Sequence, residues 1–88
     1  MVLPICRHVL TLPPDVTPHT TKGCEDCLRA GSTWVHLRLC LTCGHVGCCD
    51  TSRHRHAREH ATKLGHPVVQ SLEPGEDWRW CYVDETYV

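Results

Sequence analysis

Two Cys-x2-Cys pairs, Cys24-Glu-Asp-Cys27 and Cys40-Leu-Thr-Cys43, are separated by twelve residues in a chain of 88. A further cysteine, Cys48, and a ladder of histidines follow them. A two-residue spacer lets both sulfurs of a pair reach one tetrahedral ion at about 2.3 Å. With Cys48, His56, His60 and His66, the pairs supply eight donors, enough for two closed sites. Eight cysteines and eight histidines are set against nine leucines, nine valines, one isoleucine, one methionine and no phenylalanine. Below roughly 70–80 residues so thin a core rarely holds without a disulfide or metal staple. This chain lies just above that range, and the expected staple is zinc.

Several function classes fall away. No apolar run approaches the roughly 18 residues that span a bilayer, so no membrane partner is expected. The stretch from Met1 to His8 has no basic segment ahead of an apolar one and no small-residue cleavage site. A secretory leader is therefore not expected, and a cytoplasmic location with reduced thiols is. Nine basic residues against ten acidic ones leave a formal charge of −1, which gives no support for general nucleic-acid binding. No Ser–His–Asp order, phosphate-binding glycine loop or HExxH stands out. A zinc filled by four protein ligands keeps no open position for water, so the chain reads as non-catalytic.

Residues 9–23, with three prolines and no helical period, read as an extended connection, and Cys24–Cys27 as a tight turn. Residues 34–39 alternate, with Val35, Leu37 and Leu39 on one face and Trp34, His36 and Arg38 on the other, a strand pattern. Thr51 or Ser52 is placed to cap a helix running to about Leu64, with Gly65 ending it. Val68, Val69 and Leu72 suggest a further strand. After a turn at residues 73–77, Trp78, Trp80 and Tyr82 share one face of another.

Spacing leaves the metal pairing open. The two Cys-x2-Cys pairs can serve one ion in sequence or two ions in a cross-brace. His56 and His60 lie one helical turn apart and can equally share an ion. A third group stands at the chain ends: Cys6, His8, Cys81 and Asp84 would form a site if the ends converge. Otherwise Cys6 and Cys81 are separate buried thiols.

The order Cys-x-His, Cys-x2-Cys, Trp-Val, Cys-x2-Cys, x4-Cys, three spaced histidines and Trp-Cys-Tyr resembles the ubiquitin-specific-protease-type (UBP-type) zinc finger. The match runs from about Cys6 to Asp84, so residues 1–88 are expected to be one such domain. The resemblance implies a small α+β metal-stapled fold: a short twisted antiparallel sheet with one or two helices and cross-braced zinc sites. It also implies three ions. Cys24, Cys27, Cys48 and His56 would hold one; Cys40, Cys43, His60 and His66 a second; Cys6, His8 and Cys81 the third, with Asp84 where some members have cysteine. In the family the usual ligand is the free C-terminal Gly-Gly of ubiquitin in an aromatic-walled pocket, and Trp80 and Tyr82 match two wall positions. Ubiquitin-binding members follow the cysteine at position 48 with Gly-Arg, and the arginine clamps the terminal carboxylate. Here Cys49-Asp50 stands instead, which disfavours the usual tail binding. Losing a charged hydrogen-bond partner costs about 1.5–3 kcal/mol.

The expected function is a non-catalytic zinc-binding module that receives a protein C-terminal tail or related small acidic ligand between aromatic side chains. Trp78, Trp80, Tyr82, Arg38, Arg53 and Arg55 are the candidate ligand-binding residues. The runner-up is a phosphate- or nucleotide-binding module, for a cyclic dinucleotide for example, using the same arginines with tryptophan stacking. A zinc hydrolase or a redox protein ranks below both. Cys49 reads as a spare thiol, and His19, His36, His45 and His54 as surface or supporting residues.

Overall fold

A computed structural model describes residues 6–88; the leader reading at residues 1–5 lies outside them. A single 3-10 turn, Arg7–Val9, precedes α1 (Glu25–Ala30), β1 (Leu37–Cys40), β2 (Val46–Cys48), α2 (His56–Leu64), β3 (Val68–Ser71), β4 (Arg79–Cys81) and β5 (Thr86–Tyr87). The strands form one sheet in the order β2-β1-β3-β4-β5, every pair antiparallel. The α+β class expected from the sequence is the one observed.

Register assigns the two faces. Arg38 pairs with Gly47 and Ser71, and Val69 with Trp80, which pairs in turn with Tyr87. Paired residues point the same way, so these six share one face. Leu39 pairs with Val46 and Gln70, and Val68 with Cys81, on the other. The proline-containing arm crosses this second face, where Leu12, Pro14 and Val16 border a groove with Leu41 and Gln70. The His19 N–H donates to the Gly44 carbonyl at 2.9 Å and pins the arm to the second Cys-x2-Cys turn.

α2 lies against the first face and the β2 edge. A Cβ added to Gly47 would meet the Ala57 nitrogen at 2.7 Å, so only glycine lets strand and helix approach this closely. That contact brings His56, the first residue of α2, beside Cys48, the last of β2. The buried core is correspondingly small. Among the described residues, six of its twelve apolar residues are cysteines, and Leu39, Val46, Val68, Val69, Ala57 and Ala61 are the rest.

Three local expectations change. The Cys24–Cys27 turn opens a helix, with Cys24 as N-cap: its sulfur accepts the Cys27 N–H at 3.4 Å. The helix expected from Thr51 or Ser52 starts only at His56, because Arg55 is left-handed (φ 48°). Buried Ser52 instead accepts the Val35 N–H at 2.9 Å, tying the loop to the approach of β1. Strand alternation does not reach Trp34, since residues 35–36 form a bend. Trp34 packs with Leu37 on Cys24, Cys27 and Cys48 rather than beside Arg38. Gly65 ends α2 as expected, at φ 66°.

Gly47→Ala should lower the stability of the zinc-loaded domain by about 1–3 kcal/mol, the range for an overpacked contact. Urea unfolding checks this; an unchanged midpoint would contradict the strand–helix packing.

Candidate metal centres and ligand cavity

The structure gathers twelve donors into three groups of four, within each of which all ligand atoms lie within 4.8 Å of one another. They are Cys24, Cys27, Cys48 and His56; Cys40, Cys43, His60 and His66; and Cys6, His8, Cys81 and Asp84. In the first, His56 Nδ1 stands 3.4, 3.3 and 3.5 Å from the sulfurs of Cys24, Cys27 and Cys48, and two of those sulfurs are 4.0 Å apart. A tetrahedral zinc with its usual bond lengths sets S···N edges of about 3.6 Å and S···S edges of about 3.8 Å. In the second, His60 Nε2 is 3.3 Å from both the Cys43 sulfur and His66 Nδ1, and the Cys40 sulfur is 3.7 Å from His66. In the third, His8 Nδ1 lies 3.5 Å from Cys6, 3.4 Å from Cys81 and 3.4 Å from the Asp84 carboxylate. Every cysteine is free, and a sulfur pair at 4.0 Å is far outside the roughly 2.05 Å of a disulfide. The donor sets fit zinc.

The local electrostatics suit a cation. Burial pushes the Cys27 thiol up to about 12, with neighbouring Cys24 and Cys48 adding to it. Burial likewise takes Cys6 to about 11. Thiolates crowded together out of water repel one another, and a divalent ion removes that cost while requiring their deprotonation. Burial also lowers His60, helped by His45 and His66, to about 4, so its ring is neutral and free to ligate.

α2 bridges the first two sites, its turn-separated His56 and His60 facing different groups. The second site forms where β1 ends. Gly44 takes φ 90°, with its N–H on the Cys40 carbonyl at 2.9 Å, and the second turn tucks under Thr17. The two acids inside the first Cys-x2-Cys pair brace the second, a role unmarked by the spacing. Glu25 accepts the Val46 N–H at 2.7 Å and contacts His19 at 3.1 Å. Asp26 accepts from His45 Nε2 at 2.8 Å, and the His45 ring stacks on His60 at 4.0 Å. Burial raises the Asp26 carboxyl, but the His45 bond and charge, with Arg29, outweigh it and hold it below the usual range.

On the first face of the sheet is an open cavity of about 360 Å³. Trp78, Trp80, Tyr82 and Tyr87 wall it, buried Val69 and Cys49 contribute its base, and His36, Arg38, Asp50 and Thr51 complete the lining. Tyr87 meets the edges of Trp78 and Trp80 at 5.7 and 5.0 Å between ring centroids. Tyr87 was not apparent from the aromatic alternation, because the chain turns after Tyr82 before β5 returns it beside Trp80. The Arg38 guanidinium lies 4.5 Å over the Trp78 ring. Asp50 is held by the Arg58 guanidinium through Nε bonds of 3.1 and 3.0 Å, and Arg58 in turn lies 5.0 Å over the Tyr82 ring. The Asp50 charge is thus matched from α2. Burial, with Asp50 nearby, takes the Tyr82 hydroxyl up to about 12 and keeps it a donor. Arg53 and Arg55 are exposed and stand outside the cavity lining.

Residues 24–88 match the model of a family described as the Zn-finger in ubiquitin-hydrolases and other proteins. The chain belongs to this family. BRCA1-associated protein of Homo sapiens and that of Mus musculus are each 31% identical over 85 residues, 97% of this chain. The chain spans only 12% of the length of these curated relatives. Its fold also matches the solution structure of protein RPA1320 from Rhodopseudomonas palustris. There the identity is 53% and the TM-score 0.85, over 98% of this chain and 82% of that one.

Asp84→Ala should release one zinc of three, leaving the first two sites filled, and Asp84→Cys should restore the third. Native mass spectrometry under mild chelator competition counts them. Three ions in the alanine variant would remove Asp84 from the ligand set.

Proposed function

We propose that this zinc finger is a non-catalytic recognition module whose aromatic cavity receives an extended protein C-terminus. The cavity itself carries the reading. Four aromatic rings from β4, β5 and their flanks converge on a slot of about 360 Å³, in a domain where half the buried apolar residues are cysteines. Rings of that size would cover the core if packing alone governed their place. Tyr87 instead remains 66% exposed. Aromatic walls give large contact area with little side-chain entropy to lose, and Tyr82 offers a donor to an incoming acid. Family membership supports a slender Gly-Gly end as the occupant, since residues without a Cβ thread between rings most easily.

Each metal group supplies four protein donors, so the ions act as staples and the recognition chemistry falls to the sheet. A reducing compartment such as the cytoplasm suits a domain that needs seven free thiols for its metals. The competing occupant is a nucleotide, favoured by the Arg38–Trp78 stack, which resembles a platform for a base.

Calorimetry with a five-residue peptide ending in Gly-Gly tests the reading. Binding is expected, and Trp80→Ala should weaken it at least about tenfold, as for a buried aromatic anchor. No heat with the wild-type domain, or saturable binding of a cyclic dinucleotide alone, would overturn it.

A further inference from the structure

The three metal groups are not equally defended. The first sets three buried sulfurs around a half-buried histidine. The second has two cysteines and two histidines, with Cys40 buried and the others half-buried. In the third only Cys81 is buried, and a carboxylate stands as the fourth donor. The His8 and Asp84 side chains are 35% and 37% exposed, so a competing ligand reaches half of this donor set from solvent. Thiolate and imidazole are the donors that suit zinc, whereas carboxylate suits harder cations.

The groups also differ in what they fasten. The first two draw every ligand from residues 24–66 and share α2. The third joins His8 to Cys81 and Asp84, 73 and 76 residues away. Among the described residues, little else holds the start of the arm. Its backbone bonds there are local: Val9 donates to Cys6, Leu10 to Arg7 and Leu12 to Val9. The next backbone bond along the chain is the His19 donation to Gly44, which holds the arm's far end. No residue from 6 to 22 is buried. Between the two fastenings Leu12, Pro14 and Val16 only border the groove beside Leu41 and Gln70.

We propose that Cys6, His8, Cys81 and Asp84 form a releasable clasp. They give up zinc before the other two groups do, and residues 6–18 then leave the second face of the sheet while the domain stays folded. The strap is hinged at His19. The body it leaves keeps both ions that α2 bridges, because none of their ligands lies in the arm. The cover on the second face therefore follows zinc supply. Asp84 sets the threshold: a thiolate in its place would make the clasp a permanent staple like its neighbours.

Chelator titration of the zinc-loaded domain tests this, with ions counted by native mass spectrometry and the arm followed by nitrogen-15 relaxation on the same samples. One ion of three should leave at a chelator concentration at least about tenfold below that which removes the others. The His8 ring resonances should shift in that step, with those of His56, His60 and His66 unmoved. In the two-ion species the amides of residues 6–12 and 15–17 should become as mobile as a chain end, while β1, β2 and α2 keep their order. Asp84→Cys should raise the chelator needed for the first step about tenfold or more. Cys6→Ser should give the two-ion species with a loose arm before any chelator is added. That variant leaves the β4–β5 turn untouched, so it keeps the test open should a change at Asp84 disturb folding.

Loss of all three ions in one step, or a first loss that moves the α2 histidines, would overturn the clasp. An arm that stays ordered with two ions bound would overturn the strap. An unchanged first step in Asp84→Cys would remove Asp84 as its control. A zinc-saturated wild type holding only two ions would remove the third group, and this inference with it.

Discussion

Tetrahedral coordination is the constraint on which the other features depend. Seven cysteine sulfurs, four imidazoles and one carboxylate are brought within bonding range of three points. In water such thiols would keep their protons, and here burial pushes the most crowded of them further toward the protonated form. A divalent ion reverses that preference and makes repelling groups the strongest cross-links in the chain. Apparent binding energies of structural zinc reach about 10–16 kcal/mol, as large as the whole stability of an ordinary small domain. An apolar core of three valines, one leucine and two alanines, with cysteines as the remainder, does not compete with that.

The ions also leave the sheet free for another purpose. α2 carries ligands for two of them on successive turns, and Glu25 and Asp26 couple the first Cys-x2-Cys turn to the second. The β2–β1 end is therefore braced without large side chains. Near the opposite end, Cys81 faces the arm and the third group, so its neighbours Trp80 and Tyr82 face the other way. Strand alternation thus converts one ligand position into an aromatic wall. The charged side chains at that wall are ordered by contacts of their own: Arg38 by Trp78 and Ser71, Asp50 by Arg58.

The metal groups and the α+β class were legible because ligand type and spacing are local and short-ranged. Their partition among ions was not legible from spacing, since His56 and His60 suit one ion or two until α2 is docked at Gly47. The start of α2 was misplaced for a related reason. Ser52 has the chemistry of a helix cap, but its hydroxyl is taken by the Val35 N–H. Trp34 fell on the wrong face because a bend interrupts the alternation on which its placement depended. Tyr87, the Asp50–Arg58 pair and the Arg38–Trp78 stack depend on contacts between distant segments, and no local pattern marks them. Asp50, read alone, suggested an uncompensated negative charge; α2 supplies the compensation eight residues later.

The central claim is that metal, rather than the apolar core, holds the chain folded. Its most direct test is stepwise chelation of the zinc-loaded domain under reducing conditions, with far-UV circular dichroism and zinc count followed on the same samples. Loss of the ions should carry away secondary structure and the cooperative thermal transition together, and added zinc should restore both. A metal-free, reduced protein that kept its spectrum and melted cooperatively would contradict the account.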